Sequence, residues 1–263
     1  MRSRGTRLQA RSLDVRLAGR DILKDISFAV SPGDFVAVAG PNGAGKSTLL
    51  RALAGLAVPS AGSVELDGAD IRSLDRREIG RSIAYLPQDR TVHWPLKSRA
   101  VVALGRIPYG SGPQRGESEE DRAKIETAMM QMDALPLANR PVAELSGGER
   151  ARVLMARALA QDAAILIADE PAAGLDPAHA LVLFETLARI AAEGRAVIVA
   201  LHDLSLALRY CPRAILMKDG RVAASGPARD VMTEALIARV YGIRACVAEF
   251  AGVPCVIPVS VRS

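Results

Sequence analysis

Short apolar runs separated by amphipathic stretches characterise the second half of the chain. Residues 163–168 and 196–201 are apolar runs, and their length and composition are typical of buried strands. Residues 177–192 between them have the periodicity of a helix, and two further strands are predicted at 213–217 and 221–224. Because strands alternate with helices, the pattern predicts an α/β fold with a mainly parallel sheet that is covered on both faces.

The N-terminal part of the chain also has the pattern expected of strands. Apolar residues alternate along 22–30, and the apolar run 35–39, which ends at Gly40, predicts a buried parallel strand. A glycine-rich loop follows, and then a predicted helix at 46–56 and a strand at 64–68 that runs into a turn. We therefore expect an N-terminal antiparallel β part beside the parallel sheet.

The middle of the chain is mostly helical in pattern. Residues 117–135 predict one amphipathic helix, with acidic residues in its first turn, where they favour the helix dipole. Since α/β patterning resumes after this region, it is a candidate inserted helical subdomain. The predicted organisation is an α/β core from 8–88 and 162–226, the helical subdomain at 89–161, and a tail at 227–263 that begins with helices and continues as irregular apolar sequence.

Composition narrows the class of protein without deciding its function. Apolar residues make up 49% of the 263 residues, which is enough for a sizeable core, and no stretch approaches the roughly 20 apolar residues needed to span a bilayer. The basic N-terminus lacks the apolar segment of an export signal. The net charge of +5 leaves nucleic acid, acidic lipid and nucleotide open as partners. The three cysteines lack metal-ligand spacing and fit reduced thiols.

The glycine-rich loop matches the phosphate-binding pattern G-x-x-x-x-G-K-[ST]. It lies between a predicted strand and a predicted helix, which is the context that the motif requires. Backbone amides in such a loop point at phosphate oxygens, and the helix N-terminus favours the same anion. We expect Lys46 to reach the β and γ phosphates and Ser47 to bind Mg²⁺. The predicted nucleotide-binding residues are Gly40, Pro41, Asn42, Gly43, Ala44, Gly45, Lys46, Ser47 and Thr48.

Two acidic residues follow the predicted strand at 163–168. The carboxyl ends of strands in such a sheet open onto the ligand crevice, so Asp169 is expected to hold Mg²⁺ and Glu170 to orient or deprotonate an attacking water. Solvated surface acids are the alternative interpretation of this pair, and the phosphate loop argues against it. The N-K-x-D motif of guanine recognition does not occur in the sequence, which argues against a GTPase.

A second predicted anion site opens a helix at residues 145–150, L-S-G-G-E-R. It offers the hydroxyl of Ser146, the bare amides of Gly147 and Gly148, and a helix N-terminus. The phosphate loop already binds the γ-phosphate of one ATP. A second anion site in the same chain is therefore explained if it binds the ATP that another copy holds.

This run resembles the LSGGQ signature motif of ABC ATPases, and the resemblance extends over about residues 12–245. Gln88 matches the Q-loop, residues 173–176 (A-G-L-D) match the D-loop, and His202 matches the switch histidine, all in the family's order. The resemblance implies a single ABC ATPase domain at 8–245, built on a P-loop NTPase core of the RecA-like type. His93 and His179 match no motif and are interpreted as structural or surface residues.

The resemblance also implies a mechanism and partners. Two subunits would sandwich two ATP molecules head to tail, with Ser146, Gly147 and Gly148 on the γ-phosphate held by the other subunit. Gln88 would touch Mg²⁺ and sense a membrane permease, His202 would contact the γ-phosphate, and Asp176 would couple the two sites. The protein would then act as a homodimer on a permease dimer at the cytoplasmic face of the membrane, with a substrate-binding protein as an indirect partner and no nucleic acid.

Two positions depart from the family's pattern. Leu17 stands where the family usually has an aromatic residue that stacks on adenine, so we expect weaker nucleotide binding and loose base selectivity. Glu149 replaces the usual signature Gln. A Glu near a triphosphate would weaken binding by repulsion unless it points away along the helix. We expect only a small effect, because the backbone amides and Ser146 can bind the anion and because the family has Gln or Glu at this position.

The segment 104–109, L-G-R-I-P-Y, resembles the GRxPH/Y stretch of ATPases that serve iron-siderophore, haem and cobalamin importers. Its alternative interpretation is a simple helix end and turn. The other functions left open are an ABC exporter ATPase, a non-transport ABC ATPase of DNA repair or translation, and a regulatory nucleotide binder. The single set of motifs with a short helical insert argues against the second, and the presence of both Glu170 and His202 argues against the third.

Overall fold

The structure is a computed structural model, and it describes residues 7–89, 95–111 and 116–261. His93 lies outside these ranges. The strands are β1 (Leu8–Leu17), β2 (Arg20–Val30), β3 (Phe35–Ala39), β4 (Ala61–Leu66), β5 (Ala69–Asp70), β6 (Ile83–Leu86), β7 (Ile165–Asp169), β8 (Ala196–Ala200), β9 (Arg213–Lys218), β10 (Arg221–Pro227), β11 (Ile243–Phe250) and β12 (Val253–Val261).

The α-helices follow the strands as the alternating pattern predicts. None of those in the described ranges is both long and apolar enough to cross a membrane. They are α1 (Lys46–Leu53), α2 (Arg76–Ser82), α3 (Ser98–Ala103), α4 (Glu119–Gln131), α5 (Gly147–Ala160), α6 (Pro177–Ala192), α7 (Leu204–Tyr210), α8 (Ala228–Val231) and α9 (Glu234–Tyr241).

The central sheet has the strand order β10-β9-β3-β8-β7-β6, and its pairs are parallel except β10 with β9. All five residues of β3, of β7 and of β8 are buried, because helices cover both faces of these strands. Two apolar clusters, one against each face, form the core. The predicted α/β fold with a mainly parallel sheet is therefore confirmed.

A second, antiparallel sheet has the order β2-β1-β4-β5 and contains the N-terminal strands. Leu8, Ala10, Leu13 and Val15 of β1 are buried, although this spacing breaks strict alternation. The pairing with β2 shifts between Ala10 and Leu13, at Ser12 with a φ of 41°. A bulge of this kind returns the following apolar side chains to the core face.

The helical region consists of α3, α4 and α5, which pack against one another. Helix α4 is shorter than the predicted 117–135 because Ser118 caps its N-terminus through a capping box with Asp121. At its other end, Asp133 takes the left-handed conformation with a φ of 47°, which ends the helix.

The prediction of an irregular sequence at the end of the tail was wrong. After α8 and α9, strands β11 and β12 form an antiparallel hairpin whose turn is Ala251–Gly252, both at positive φ. Pro254 and Pro258 obscured β12 in the sequence. A proline is tolerated there because β12 has a neighbour on one side only in the two-stranded sheet. The hairpin packs on α7 through Val256, whose N–H donates to Ser205 Oγ at 3.0 Å.

Candidate nucleotide site

The loop at residues 40–45 connects β3 to α1 and approaches other backbone segments closely. A Cβ atom at Gly40 would lie 2.4 Å from the carbonyl oxygen of Met217. At Gly45, which has a φ of 96°, a Cβ atom would lie 2.8 Å from Cδ2 of Leu23. Both positions therefore require glycine, and the loop can curl so that its amides face inward.

Lys46 begins α1 and is only 6% exposed. Its Nζ donates to the carbonyl oxygens of Gly40 at 2.7 Å and Pro41 at 3.1 Å. Burial lowers the pKa of Lys46, while the charges of Glu170 and Asp169 act in the opposite direction. The ammonium group thus lies within the loop and beside two carboxylates at the end of β7.

Asp169 is the last residue of β7 and is 1% exposed. Burial raises the pKa of its carboxyl group, and a hydrogen bond from the Ser47 side chain partly offsets the rise. Its Oδ1 atom is buried with no hydrogen-bond partner among the described residues. A buried carboxylate oxygen without a donor is costly, so this atom and the adjacent Ser47 hydroxyl fit a pair of oxygen ligands for a divalent cation.

Glu170 and His202 meet beside Lys46 and Asp169. Nε2 of His202 lies 2.5 Å from Oε1 of Glu170, and the backbone N–H of Glu170 donates to the carbonyl of Ala200 at 3.1 Å. Gln88 follows β6, which pairs in parallel with β7. The three strands end at the same edge of the sheet, which is why these side chains converge.

A cleft of about 520 Å³ opens over this edge of the sheet. It combines residues of the phosphate loop with Gln88, Glu170 and His202, which follow the strands. Asp169 lines the neighbouring groove instead. Ile22, on β2, was not predicted; its carbonyl oxygen lies 3.1 Å from the Cβ position of Gly45. The described lining residues are Ile22, Asn42, Gly43, Ala44, Gly45, Lys46, Ser47, Thr48, Gln88, Glu170 and His202.

Leu17 lies at the end of β1, opposite Arg20 across the turn to β2, and is 44% exposed. It is not among the described residues that line the cleft, whereas Ile22 on the same strand pair is. A larger side chain at position 17 therefore has solvent to extend into. No simple sequence pattern would have singled out Ile22.

The segment Ser146, Gly147 and Gly148 forms the N-terminus of α5 and belongs to a different surface from the cleft lining. Ser146 is the N-cap, and its side chain accepts a hydrogen bond from the N–H of Glu149. A Cβ atom at Gly148 would lie 3.2 Å from the carbonyl of Gly174. The glycine pair thus brings this helix end close to residues 173–176.

Asp176 caps the N-terminus of α6 and accepts a hydrogen bond from the N–H of His179 at 2.9 Å. Nδ1 of His179 lies 2.6 Å from the second carboxylate oxygen of Asp176. Its Nε2 lies 3.9 Å from Asp133, at the end of α4. His179, interpreted from the sequence as structural, therefore connects residues 173–176 to the helical region.

A groove of about 1070 Å³ runs from the sheet edge to the helical region. Its walls carry basic side chains beside apolar ones, and its floor reaches Gln88 and Asp169. Arg51, Arg76, Ile79, Tyr85, Leu104 and Arg157 are among the residues that line it.

Arg106 supports the wall of this groove from inside. The residue is 1% exposed, and its Nε donates to Oδ1 of Asp121 at 2.7 Å, while Nη1 donates to the carbonyl of Ala160 at 3.0 Å. The ring of Tyr109 lies over the guanidinium group at 3.9 Å. Buried Arg106 thus holds the segment 104–109, whose Ile107 is 52% exposed.

The chain is similar to known proteins in both sequence and fold. The ABC transporter family profile matches residues 23–173. The chain is 46% identical over 239 residues to the hemin import ATP-binding protein HmuV of Nocardia farcinica, covering 89% of this chain and 82% of that protein. It is 44% identical over 241 residues to the cobalamin import ATP-binding protein BtuD of Halobacterium salinarum, covering 91% of this chain and 60% of that protein.

Among solved structures, a dimeric ATP-binding cassette in a post-hydrolysis state with ADP and phosphate superimposes with a TM-score of 0.75. It is 28% identical in sequence, and the match covers 84% of this chain and 99% of that chain. The profile match spans more than half of the chain, and both relatives exceed 40% identity. The chain therefore belongs to the ABC transporter family.

Proposed function

We propose that this chain is the ATP-binding and ATP-hydrolysing subunit of an ABC importer. The observation that carries the proposal is the convergence of Lys46, Glu170 and His202 on one cleft at the edge of the parallel sheet, with the buried Asp169 next to Ser47 at the end of the same strand as Glu170. In this importer, ATP turnover energises uptake of an iron complex (siderophore or haem) or of cobalamin through a membrane permease. The two relatives, named for hemin and cobalamin import, support the class of cargo.

Residues 40–48 bind the triphosphate. The Lys46 ammonium exchanges its bonds to Gly40 and Pro41 for phosphate oxygens, which accept stronger, charge-assisted hydrogen bonds than neutral carbonyls do. The amides of the loop and the N-terminus of α1 favour the same anion. Ile22 supplies an apolar surface at the cleft edge.

Ser47, Gln88 and Asp169 are the proposed ligands of Mg²⁺, directly or through water. The support is the buried Oδ1 of Asp169, which has no hydrogen-bond partner among the described residues, beside the Ser47 hydroxyl. Bound there, the cation would neutralise charge on the β and γ phosphates. Lys46 contributes a further positive charge near the same carboxylate.

Glu170 is the proposed general base. Its carboxylate accepts a proton from, or orients, the water that attacks the γ-phosphorus. His202 holds that carboxylate through Nε2 at 2.5 Å and is exposed enough to contact the γ-phosphate itself, since 46% of its side chain is accessible. Both groups thus act on the same reacting centre.

Ser146, Gly147 and Gly148 serve the ATP of a second copy, and Asp176 couples the two sites. The support is their location: they lie outside the described lining of their own cleft, yet they present a helix N-terminus suited to an anion. The similar ATP-binding cassette that was solved as a dimer with ADP and phosphate supports a dimeric assembly. ATP would favour the closed pair and hydrolysis would release it, a population shift set by differential contacts.

The groove beside Gln88 is the proposed docking surface for the permease, at the cytoplasmic face of the membrane. It joins the nucleotide edge to the helical region, so a segment seated in it would touch both. The exposed Leu104 and the basic Arg51 and Arg76 line this groove and provide apolar and charged contacts. A substrate-binding protein on the far side of the membrane acts only through the permease.

The test is to purify the protein through an N-terminal tag, in mild detergent, from its own membranes. We expect a polytopic membrane protein to co-purify, and the ATPase rate of the complex to rise with the matching cargo and its binding protein. Recovery of nucleic acid or ribosomes without a membrane partner would overturn the transport function. An exporter is distinguished because its complex would respond to cargo without any binding protein.

A further inference from the structure

Arg140 and Glu149 form an ion pair next to the signature segment. Nη1 of Arg140 lies 2.7 Å from Oε1 of Glu149, and Nη2 donates to the carbonyl of Glu144 at 3.3 Å. The other carboxylate oxygen of Glu149 accepts the N–H of Ser146 at 2.8 Å. One carboxylate thus links the arginine to the residue that caps α5.

The main chain of Arg140 is itself held in place. Its carbonyl accepts hydrogen bonds from the N–H of Ser98 at 2.9 Å and from Ser98 Oγ at 3.0 Å. Ser98 begins α3 and is fully buried. The guanidinium therefore extends from a fixed backbone position, and Glu149 turns toward it.

Glu149 fixes the position of Ser146 at the start of α5. The N–H of Ser146 donates to the carboxylate of Glu149, the Oγ of Ser146 accepts the N–H of Glu149 at 3.3 Å, and the Ser146 side chain also hydrogen-bonds the carboxylate. The hydrogen bond from the backbone N–H of Ser146 is the main reason why the pKa of Glu149 lies below its ordinary value. Glu149 therefore stays ionised, and its charge is balanced by Arg140.

In a single subunit the pair contributes little to stability, because 45% of the Arg140 side chain and 25% of the Glu149 side chain are exposed. The situation changes if the triphosphate of a second copy docks on Ser146. An unbalanced carboxylate three residues into the helix would then repel the γ-phosphate in a desolvated interface. The neutral Gln that the family usually has would need no such partner.

We propose that Arg140 is a positioning residue for ATP hydrolysis: it neutralises Glu149 and holds it against Ser146, so that the signature segment accepts the triphosphate bound by a second copy. The inference rests on the proposed function of this segment. Arg140 is then necessary for full ATP hydrolysis because residue 149 is Glu. It would be dispensable if residue 149 were Gln.

The test is a double-mutant cycle on the purified full-length chain, with Arg140→Gln, Glu149→Gln and the double variant. We expect Arg140→Gln to lower kcat about tenfold, within the range of coupling between contacting residues. ATP binding to the phosphate loop of the single subunit should stay within about twofold, since Arg140 lies outside that cleft. In the Glu149→Gln background, Arg140→Gln should change kcat less than about twofold.

The matched control is Arg189→Gln, which breaks an exposed pair with Glu193 at the end of α6 at 3.3 Å; its kcat should equal that of the wild type. An equal loss of kcat in the wild-type and Glu149→Gln backgrounds would overturn the inference, because the effect would then not pass through the carboxylate. Unchanged kcat in Arg140→Gln, with an active wild type, would overturn it as well. A wild type that neither hydrolyses ATP nor dimerises with it would instead overturn the proposed function, and this inference with it.

Discussion

Nε2 of His202 lies 2.5 Å from Oε1 of Glu170, although the two residues are 32 positions apart in the sequence. The contact exists because β7 and β8 are adjacent and in register, with Asp169 paired to Ala200. Each side chain follows the end of its strand, so parallel pairing brings them together at one edge. The contact unites the proposed base with the residue expected to touch the γ-phosphate.

Replacing Glu170 by Gln should keep ATP binding and lower the hydrolysis rate by ~10² or more, because the amide cannot accept the proton of the attacking water. The variant should also accumulate as an ATP-bound dimer, visible by size-exclusion chromatography with ATP and Mg²⁺. Glu185→Gln, on the exposed side of α6, is the control and should behave as wild type. Turnover near the wild-type rate in Glu170→Gln would falsify the assignment of the base.

Replacing Lys46 by Ala should weaken ATP binding. The buried ammonium is the side chain aimed into the phosphate loop, and a hydrogen bond to a charged group is worth about 1.5–3 kcal/mol. We therefore expect the Kd for ATP to rise by roughly 10- to 150-fold, measured by calorimetry on the single subunit. An unchanged Kd would mean that the triphosphate does not occupy this loop.

Replacing Leu17 by Tyr should tighten ATP binding. The position is 44% exposed at the end of β1, and base stacking on an aromatic ring is worth about 1–3 kcal/mol. We expect the Kd for ATP to fall at least severalfold and the preference for adenine over other bases to increase. Val182→Tyr, also at 44% exposure but on α6, is the control; an unchanged or weaker affinity in Leu17→Tyr would contradict the prediction.

Replacing Arg106 by Met should destabilise the helical region. The change leaves Asp121, 5% exposed, as a buried carboxylate without its guanidinium partner, and breaking such a pair costs about 3–5 kcal/mol. Urea unfolding should show a lower midpoint. The double variant Arg106→Met with Asp121→Leu should recover much of the loss, because no uncompensated charge remains; equal midpoints for the single and double variants would show that lost packing dominates.

The same carboxylate predicts acid sensitivity. Burial raises the pKa of Asp121, but hydrogen bonds from Ser111, Arg106 and Ser118 outweigh it and hold that pKa well below its usual range. A group with a depressed folded-state pKa stabilises the fold above its unfolded pKa of about 3.9 and loses that contribution as the pH falls toward the folded value. Asp121→Asn should therefore make the unfolding free energy fall less steeply below about pH 4. An unchanged slope would show that Asp121 does not contribute to the acid sensitivity.

Much of the fold could be predicted from local patterns. Strand β3 and helix α6 have the bounds that the sequence predicted, since a continuous apolar run and a proline-started amphipathic stretch are each decided within a few residues. The hairpin of β11 and β12 could not be predicted, because its prolines are acceptable only in a strand without a second neighbour. Whether β12 has one neighbouring strand or two is decided by the tertiary structure and cannot be read from its own residues.

The sequence by itself determined which functional groups are present. These are a phosphate loop at 40–48, the acids Asp169 and Glu170 after an apolar strand, and the glycine pair at the start of α5. These follow from residue type and short spacing, which do not depend on distant parts of the chain. Tertiary structure alone decided that His202 touches Glu170 and that Glu149 turns to Arg140. Such contacts depend on strand order and helix packing, which join residues that the sequence separates.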